Sequence, residues 1–469
     1  MELTSQPMLI WFVIGYGIFM LILGVYYSKK ITTSDDFILA GKSLGPIVLM
    51  GTLLATWVGS GSVTGGQNSM AYSFGLWPAL MSTIPSLIGI LTIFIISSKI
   101  KHYGKHTVAE ILEIKYGKWS SLLAAVIIIL AFVGIVSYQF QGLGFILSVS
   151  TGISPEMGTI IGAVIIIFLA CIGGLMSVAP TDAASAFLVI IGLVIALPLA
   201  ISIGGGWDQI VANVPDSHTT FTGGLSFLQL MGYYLPTLFL LLGDQNIYQR
   251  ITASTNDKST KRGTAGWIIG LIIVTPIISV LAFISRSLFP NIDPGMAVIA
   301  LTSVLPLAVG GILIAALTAF IVTTGNSYLL SAATSVIYDF FAKYIKTDIN
   351  DSQKLVYTRV LIPVLGVIAF LLTMYFPTVL SVQMYAYTVY GAGITPALLA
   401  VFLFPQVTKS AGLSSMITGL AVTLFWEILY VESTGINSVI ISVPAAIIVL
   451  IVVTLLTYKK DSNMKEVTE

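Results

Sequence analysis

With 469 residues, 56% hydrophobic and only 9% charged, and a mean hydropathy of +0.98, the chain is too apolar to be a soluble globular protein. Its net charge of +1 comes from basic residues scattered among short connections, with no groove or aromatic-interleaved stripe, which excludes a nucleic-acid partner. The single cysteine, Cys171, excludes an internal disulfide, so the composition describes a polytopic all-α membrane protein.

The N-terminus lacks the basic region of a signal peptide, so the apolar run 8–28 is expected to remain as a span. Windows of roughly 20 residues then predict helices near 45–74, 75–98, 119–148, 157–177, 180–203, 224–252, 264–286, 306–342, 357–375, 379–404, 412–431 and 437–457. That makes 13 spans, with the N-terminus outside and the C-terminus inside. The basic residues check the layout. Lys29, Lys30, Lys42, Lys99, Lys101, Lys105, Lys115, Lys118, Arg250, Lys258, Lys261, Arg262, Lys343, Lys346, Lys354, Arg359, Lys409, Lys459, Lys460 and Lys465 all fall on one side, leaving Arg286 alone of the 21 on the other. No arginine or lysine falls in the middle of a predicted span.

The connections are too short for a domain with its own core. The segment 99–118 places Val108, Ile111, Leu112 and Tyr116 on one helical face, which predicts a short interfacial helix. His102 and His106 have the i, i+4 spacing of metal ligands, but no carboxylate or cysteine completes a site, and headgroup contact is the favoured reading.

Two spans are broken. The middle of 45–74 reads Ala55-Thr-Trp-Val-Gly-Ser-Gly-Ser-Val-Thr-Gly-Gly-Gln-Asn68, and polar groups with glycines at bilayer depth are tolerated only where backbone lines a cavity or binds something. In 224–252 an apolar run turns polar at Gly243-Asp244-Gln245, either as a second break or as an ordinary helix exit. Two interrupted spans, each opening a block of helices, point to an inverted-repeat transporter with its site between the breaks.

Further residues resemble a family. Asp35-Asp36-Phe37-Ile-Leu-Ala-Gly41-Lys-Ser-Leu-Gly45-Pro46, the break from Thr56 to Gly66, Gly173-Gly174-Leu175 running to Thr181-Asp182, Gln245-Asn-Ile-Tyr-Gln249-Arg250 and the stretch from Ala316 to Asp339 follow, in order, motifs of the sodium/solute symporter family. That resemblance implies a LeuT-type fold of two inverted five-helix repeats, 45–203 and 224–404, joined by the loop 204–223. The segment 1–44 then adds one helix and a linker before the repeats, and 405–469 adds two helices and a tail after them. It implies sodium as the cofactor ion, held by the carbonyls of Thr56, Gly59 and Phe320 and the hydroxyls of Thr323 and Thr324. The i, i+3, i+4 spacing of the last three puts them on one helix face, and an all-oxygen, charge-poor cage suits a monovalent cation. The alternative for the threonines is back-bonding within their own helix.

An uncompensated carboxylate inside a bilayer costs about 2.5–3.5 kcal/mol or more. Asp182 therefore either caps a helix beginning after Pro180 or, with Asn326 and Ser327, forms a second sodium site that some family members possess. Candidate substrate residues are Ser60, Ser62, Gln67, Tyr138, Gln139, Gln141, Tyr233, Tyr234, Asp244 and Gln245, with helix–helix hydrogen bonding as the plain alternative for each. Tyr385, Tyr387 and Tyr390 are gate candidates or packing residues. With no lysine or arginine at mid-span, a small neutral, zwitterionic or monocarboxylate solute fits better than a multiply charged one.

The reading is a sodium-coupled symporter in the cell membrane, importing a small organic solute by alternating access. Its partners are sodium, that solute and membrane lipid, and a monomer is sufficient for transport. A proton-coupled symporter of the same fold is the runner-up, ahead of a channel or a transporter-like sensor. No HExxH, GxSxG or P-loop pattern supports an enzyme.

Overall fold

The computed structural model describes the backbone of residues 2–29, 31, 33–172, 175–376 and 378–466. Side chains are described for these except Ser28, Ser34, Ser60, Ser177 and residues 459–466. The Gly173-Gly174 pair of the family motif and the Ser60 side chain thus lie outside the described parts.

The elements are α1 (Ile10–Ser28), α2 (Ser34–Leu39), α3 (Pro46–Ser60), α4 (Gly66–Phe74), α5 (Leu76–Met81), α6 (Thr83–Tyr103), α7 (Val108–Tyr116), α8 (Lys118–Thr151), α9 (Pro155–Ile172), α10 (Leu175–Ile203) and α11 (Trp207–Ala212). There follow α12 (Phe227–Gly243), α13 (Gln245–Thr252), α14 (Asp257–Leu288), α15 (Ala297–Leu301), α16 (Leu307–Thr334), α17 (Asp351–Leu372), α18 (Val379–Gly393), α19 (Thr395–Leu403), α20 (Lys409–Leu429), α21 (Val431–Thr434) and α22 (Val439–Glu466). No strand occurs among the described residues.

Local chemistry explains many of the starts. Ser226 with Gln229, Asn350 with Gln353 and Thr378 with Ser381 form reciprocal capping boxes at α12, α17 and α18. Asn256 caps α14 and Thr107 caps α7. Pro46 opens α3, where its missing N–H costs nothing.

Among the described residues, 10 helices are long and apolar enough to cross a bilayer, or up to 12 if α3 with α4 and α18 with α19 each count as one bent span. The span predicted over 224–252 falls outside that count because α12 is 17 residues long and stops at Gly243, before the separate short helix α13. The predicted span 180–203 instead begins at Leu175, with Pro180 inside it, so Asp182 is a helix-interior residue and not a cap. The face of α7 predicted to lie on the membrane is buried against protein, and the Tyr116 hydroxyl donates to the Ala397 carbonyl at 2.8 Å. His106 likewise meets Asp35 of α2 at 2.5 Å, not lipid.

The outer helices present rows of large apolar side chains outward. On α1 these are Ile14, Ile18 and Ile22; on α9, Ile160, Val164 and Phe168; on α17, Val356, Val360, Val364, Val367 and Leu371. Helices apolar on both faces are stable when the outer face meets hydrocarbon, so these rows mark the lipid boundary. Inside them α3 packs on α10, α14 and α16, while α8 packs on α16 and α18.

Candidate functional site

The first break lies inside this core. Gly59 leaves helical geometry at φ 12°, ψ −154°, a π-turn spans Gly61–Gly65, and α4 resumes at Gly66. The two halves, Pro46–Gly59 and Gly61–Phe74, meet at 44°. Interrupting the ladder frees backbone donors and acceptors, which must find other partners when buried. One side chain from α18 takes two of them: Gly66 N–H donates to Gln383 Oε1 at 2.8 Å, and Gln383 Nε2 donates to the Gly61 carbonyl at 2.9 Å. Gly65 is glycine because a Cβ there would overlap Gln383 Oε1.

Beside this clamp lies a narrow cavity lined by Trp57, Gly61, Ser62, Gly66, Gln67 and Met70 of the broken segment, Ser82 and Ser86, Tyr233 and Thr237, and Gln383, Met384 and Tyr387. The room free of protein inside it suffices for about one water molecule. Trp57 Nε1 donates to Ser86 Oγ at 3.3 Å, and the Trp57 ring stacks on Tyr387 at 6.4 Å.

The predicted substrate residues divide. Ser62 and Gln67 line the cavity, and Tyr138 stands behind it, its hydroxyl 3.3 Å from that of Tyr387. Gln141, Tyr234, Asp244 and Gln245 do not line it. Gln141 donates to the Thr373 carbonyl and Tyr234 to the Pro78 carbonyl. Asp244 accepts from Tyr328 Oη at 2.5 Å and from Asn246 N–H at 2.8 Å, and Gln245 joins Val108 N–H to Ser335. These four hold helices together. Tyr233, next to Tyr234, is the one that faces the cavity.

Of the predicted sodium residues, Gly59 and Thr324 meet where α3 packs on α16. A Cβ on Gly59 would overlap the Thr324 hydroxyl, which donates to the Ala55 carbonyl at 3.3 Å. Thr56 Oγ1 is buried without a hydrogen-bond partner among the described residues, and Phe320 is buried one turn before Thr324. The Thr323 hydroxyl donates to the Ala319 carbonyl at 2.9 Å, the back-bonded alternative, and stands beside Asp182. Hydroxyls and carbonyls on two helices fit a monovalent hard cation, and the orphaned Thr56 oxygen is a ready ligand. Among the described residues, no cluster of His, Cys, Asp or Glu could hold a metal ion.

Asp182 has a partner that the sequence reading misassigned. Arg250, counted there among loop cations, is 1% exposed and sets its guanidinium 3.3 Å from the Asp182 carboxylate, itself 1% exposed. Arg250 also donates to Thr52 Oγ1 (2.8 Å), the Asn246 carbonyl (3.2 Å) and Ser327 Oγ (2.8 Å), while the Thr52 hydroxyl donates to Asp182 at 2.6 Å. A buried pair tied further to Thr52, Asn246 and Ser327 is tolerable where a lone charge is not, although Asp182 Oδ1 finds no hydrogen-bond partner among the described residues. Two of the three residues predicted for a second sodium, Asp182 and Ser327, are thereby joined through a guanidinium. The third, Asn326, faces a separate cavity with Thr181, Met20 and Ile172.

Gln383, Arg250, Thr52 and Ala55 went unread as site residues. For Gln383 a signal existed, an amide in an otherwise apolar span. Arg250 stands in the Gln245–Arg250 motif and Ala55 opens the broken run, while nothing in the sequence singles out Thr52.

A helical membrane bundle with a glycine-broken span packed at its centre beside a small polar cavity has the architecture of a secondary transporter of the LeuT fold. The model of the sodium:solute symporter family matches residues 37–419, and the chain belongs to that family. It is a sodium-coupled solute symporter and a multi-pass plasma-membrane protein, and its family and relatives are transporters. Among curated relatives it is 26% identical to the osmoregulated proline transporter OpuE of Bacillus subtilis, over 94% of this chain and 93% of that one. It is 25% identical to the sodium/pantothenate symporter of Escherichia coli over 71% of each. Among solved structures, a substrate-bound, outward-open sodium-coupled sialic acid symporter superposes with a TM-score of 0.79 at 19% identity, over 96% of this chain and 98% of that one. Mhp1, a nucleobase-cation-symport-1 family transporter, superposes at 0.63 and 12% identity, over 92% and 96%. Both likenesses concern the fold.

Proposed function

We propose that this protein imports a small zwitterionic solute of the proline class by alternating access, with one sodium ion per cycle. The two inverted repeats would be 45–203 and 224–404, with one chain sufficient for transport. Sodium would be held by Thr56, Gly59, Phe320, Thr323 and Thr324, and the solute in the cavity beside the first break. The observation that carries the solute class is the cavity itself: among the described residues its lining has hydroxyls, amides and aromatic rings but no charged side chain. The relatives named for proline transport agree with a solute of that size and charge.

A single sodium per cycle follows from Arg250, whose positive charge stands between Asp182 and Ser327 where a second cation would otherwise bind. Each charge moved inward across about 100 mV gains roughly 2.3 kcal/mol, so one sodium supports about 50-fold accumulation of a net-neutral solute from voltage alone. The test is uptake of labelled L-proline into proteoliposomes under an inward sodium gradient. Thr324→Ala, which removes one oxygen ligand, should raise the sodium concentration for half-maximal uptake about tenfold, with Thr324→Ser near wild type. Equal uptake under a proton gradient without sodium would overturn the coupling, and a wild-type sodium curve in Thr324→Ala would overturn the site.

A further inference from the structure

The two breaks are bridged from a single helix, α18, by residues on one face of it. Gln383 joins Gly61 to Gly66, and seven residues on, Tyr390 joins Gly243 to Gln245, its hydroxyl donating to the Gly243 carbonyl at 2.7 Å and accepting from Gln245 N–H at 3.1 Å. Tyr387 lies between them against Gly61, where a Cβ would come within 2.6 Å of its hydroxyl. The bridges differ in one respect. Gly243, Asp244 and Gln245 are buried against protein, whereas Gln383, Gly61 and Gly66 border the cavity.

The orientation of the Gln383 amide is forced: only its NH₂ can face a carbonyl and only its oxygen can face an N–H. It therefore presents one acceptor and one donor side by side. The acceptor sits at the N-terminus of α4, where backbone N–H groups and the helix dipole favour negative charge. The donor sits at the carbonyl of Gly61, just past the C-terminal end of α3, where positive charge is favoured. A neutral amide fills that position with only partial charges, whereas a carboxylate and an ammonium on adjoining carbons would fill it with full ones. Ser62 and Gln67, both more than nine-tenths buried, line the same cavity and present a hydroxyl and an amide to it. The space left holds about one water, so a solute of amino-acid size enters only by moving a side chain.

We propose that the Gln383 carboxamide is an internal stand-in for the polar head of the substrate. It holds Gly61 and Gly66 while the site is empty and is displaced by the carboxylate and amine of an α-amino or α-imino acid. This rests on the solute class proposed above and adds a sign to it. A ligand-contacting residue weakens binding when removed, whereas a competitor strengthens it.

The experiment is calorimetric binding of the proteinogenic amino acids, L-proline first, to purified full-length protein in sodium and in potassium buffers. Wild type is compared with Gln383→Ala and with Gln383→Met, which keeps the length and packing of the side chain but cannot hydrogen-bond. The expected result is about fivefold tighter binding of the amino acid by both variants, with sodium affinity in its absence unchanged. Thermal unfolding verifies that Gln383→Met is folded. Weaker or unchanged amino-acid binding in a folded Gln383→Met overturns the stand-in and leaves the transport reading intact. Wild-type binding that ignores sodium overturns the coupling but not the stand-in. If no amino acid binds wild type, both the solute class and the stand-in fall.

Discussion

The two broken spans begin from the same problem and solve it differently. At the second, Tyr390 Oη joins Gly243 to Gln245, and Asp244 accepts from the Asn246 N–H and from Tyr328, so the Gly243 carbonyl and the Gln245 and Asn246 N–H groups meet rigid partners inside protein. At the first, three glycines at 61, 65 and 66 leave room for a single flexible amide beside a cavity. A break is therefore not itself a binding site. It becomes one when its orphaned groups are held by something that can leave.

The largest effect should come from the charge next to the second break. Arg250→Met leaves the Asp182 carboxylate buried and unpaired, which should cost about 3–5 kcal/mol, read as a lowered unfolding temperature in detergent. Pairing it with Asp182→Leu should restore most of that loss, and failure to do so would mean that the pair is not the stabilising unit. At the first break, Gly65→Ala should cut transport by about a hundredfold or more, because the new Cβ would fill the place of Gln383 Oε1, where the polar head of the solute is proposed to sit. Normal uptake by that variant would remove the cradle from the argument.

Tyr390→Phe sharpens the contrast most directly. It should lower stability by about 1–3 kcal/mol, the cost of leaving Gly243 and Gln245 unsatisfied, with the proline Kd unchanged. A changed Kd would make the second break a substrate contact after all. The smallest effect concerns the loop 204–226, where His218 Nε2 lies 3.0 Å from the Tyr72 carbonyl of α4 and Gly75 takes φ +103° against His218. Burial holds the imidazole below its ordinary 6.5, the bond to Tyr72 opposes this, and Arg286 adds to it. Below pH 6.5 the unfolded chain then binds more protons than the folded one, so this contribution to stability is present at neutral pH and fades as pH falls. His218→Gln should flatten the slope of unfolding temperature against pH between about 5 and 7; an unchanged slope would assign it elsewhere.

What the chain determined by itself were properties carried by local composition. Apolar run length marked the helices, the glycine-rich run 59–66 marked the first break, and the Thr323–Thr324 pair marked a face of α16. The order of motifs announced the family. These are short-range signals, set by backbone needs within a few residues. Only the packed bundle decided which polar residues face one another. Asp244 and Gln245 look like ligands in sequence and are mortar in space, because α18 and α7 meet them. Arg250 reads as a loop cation, since its neighbours in sequence are polar, yet it is buried because Asp182, Thr52 and Ser327 come from three other helices. Gln383 is one amide in an apolar span until α18 crosses the first break more than 300 residues earlier in the chain. Hydrogen bonds and ion pairs between distant segments leave no periodicity in sequence, so the site's partners, unlike its location, had to come from the tertiary structure.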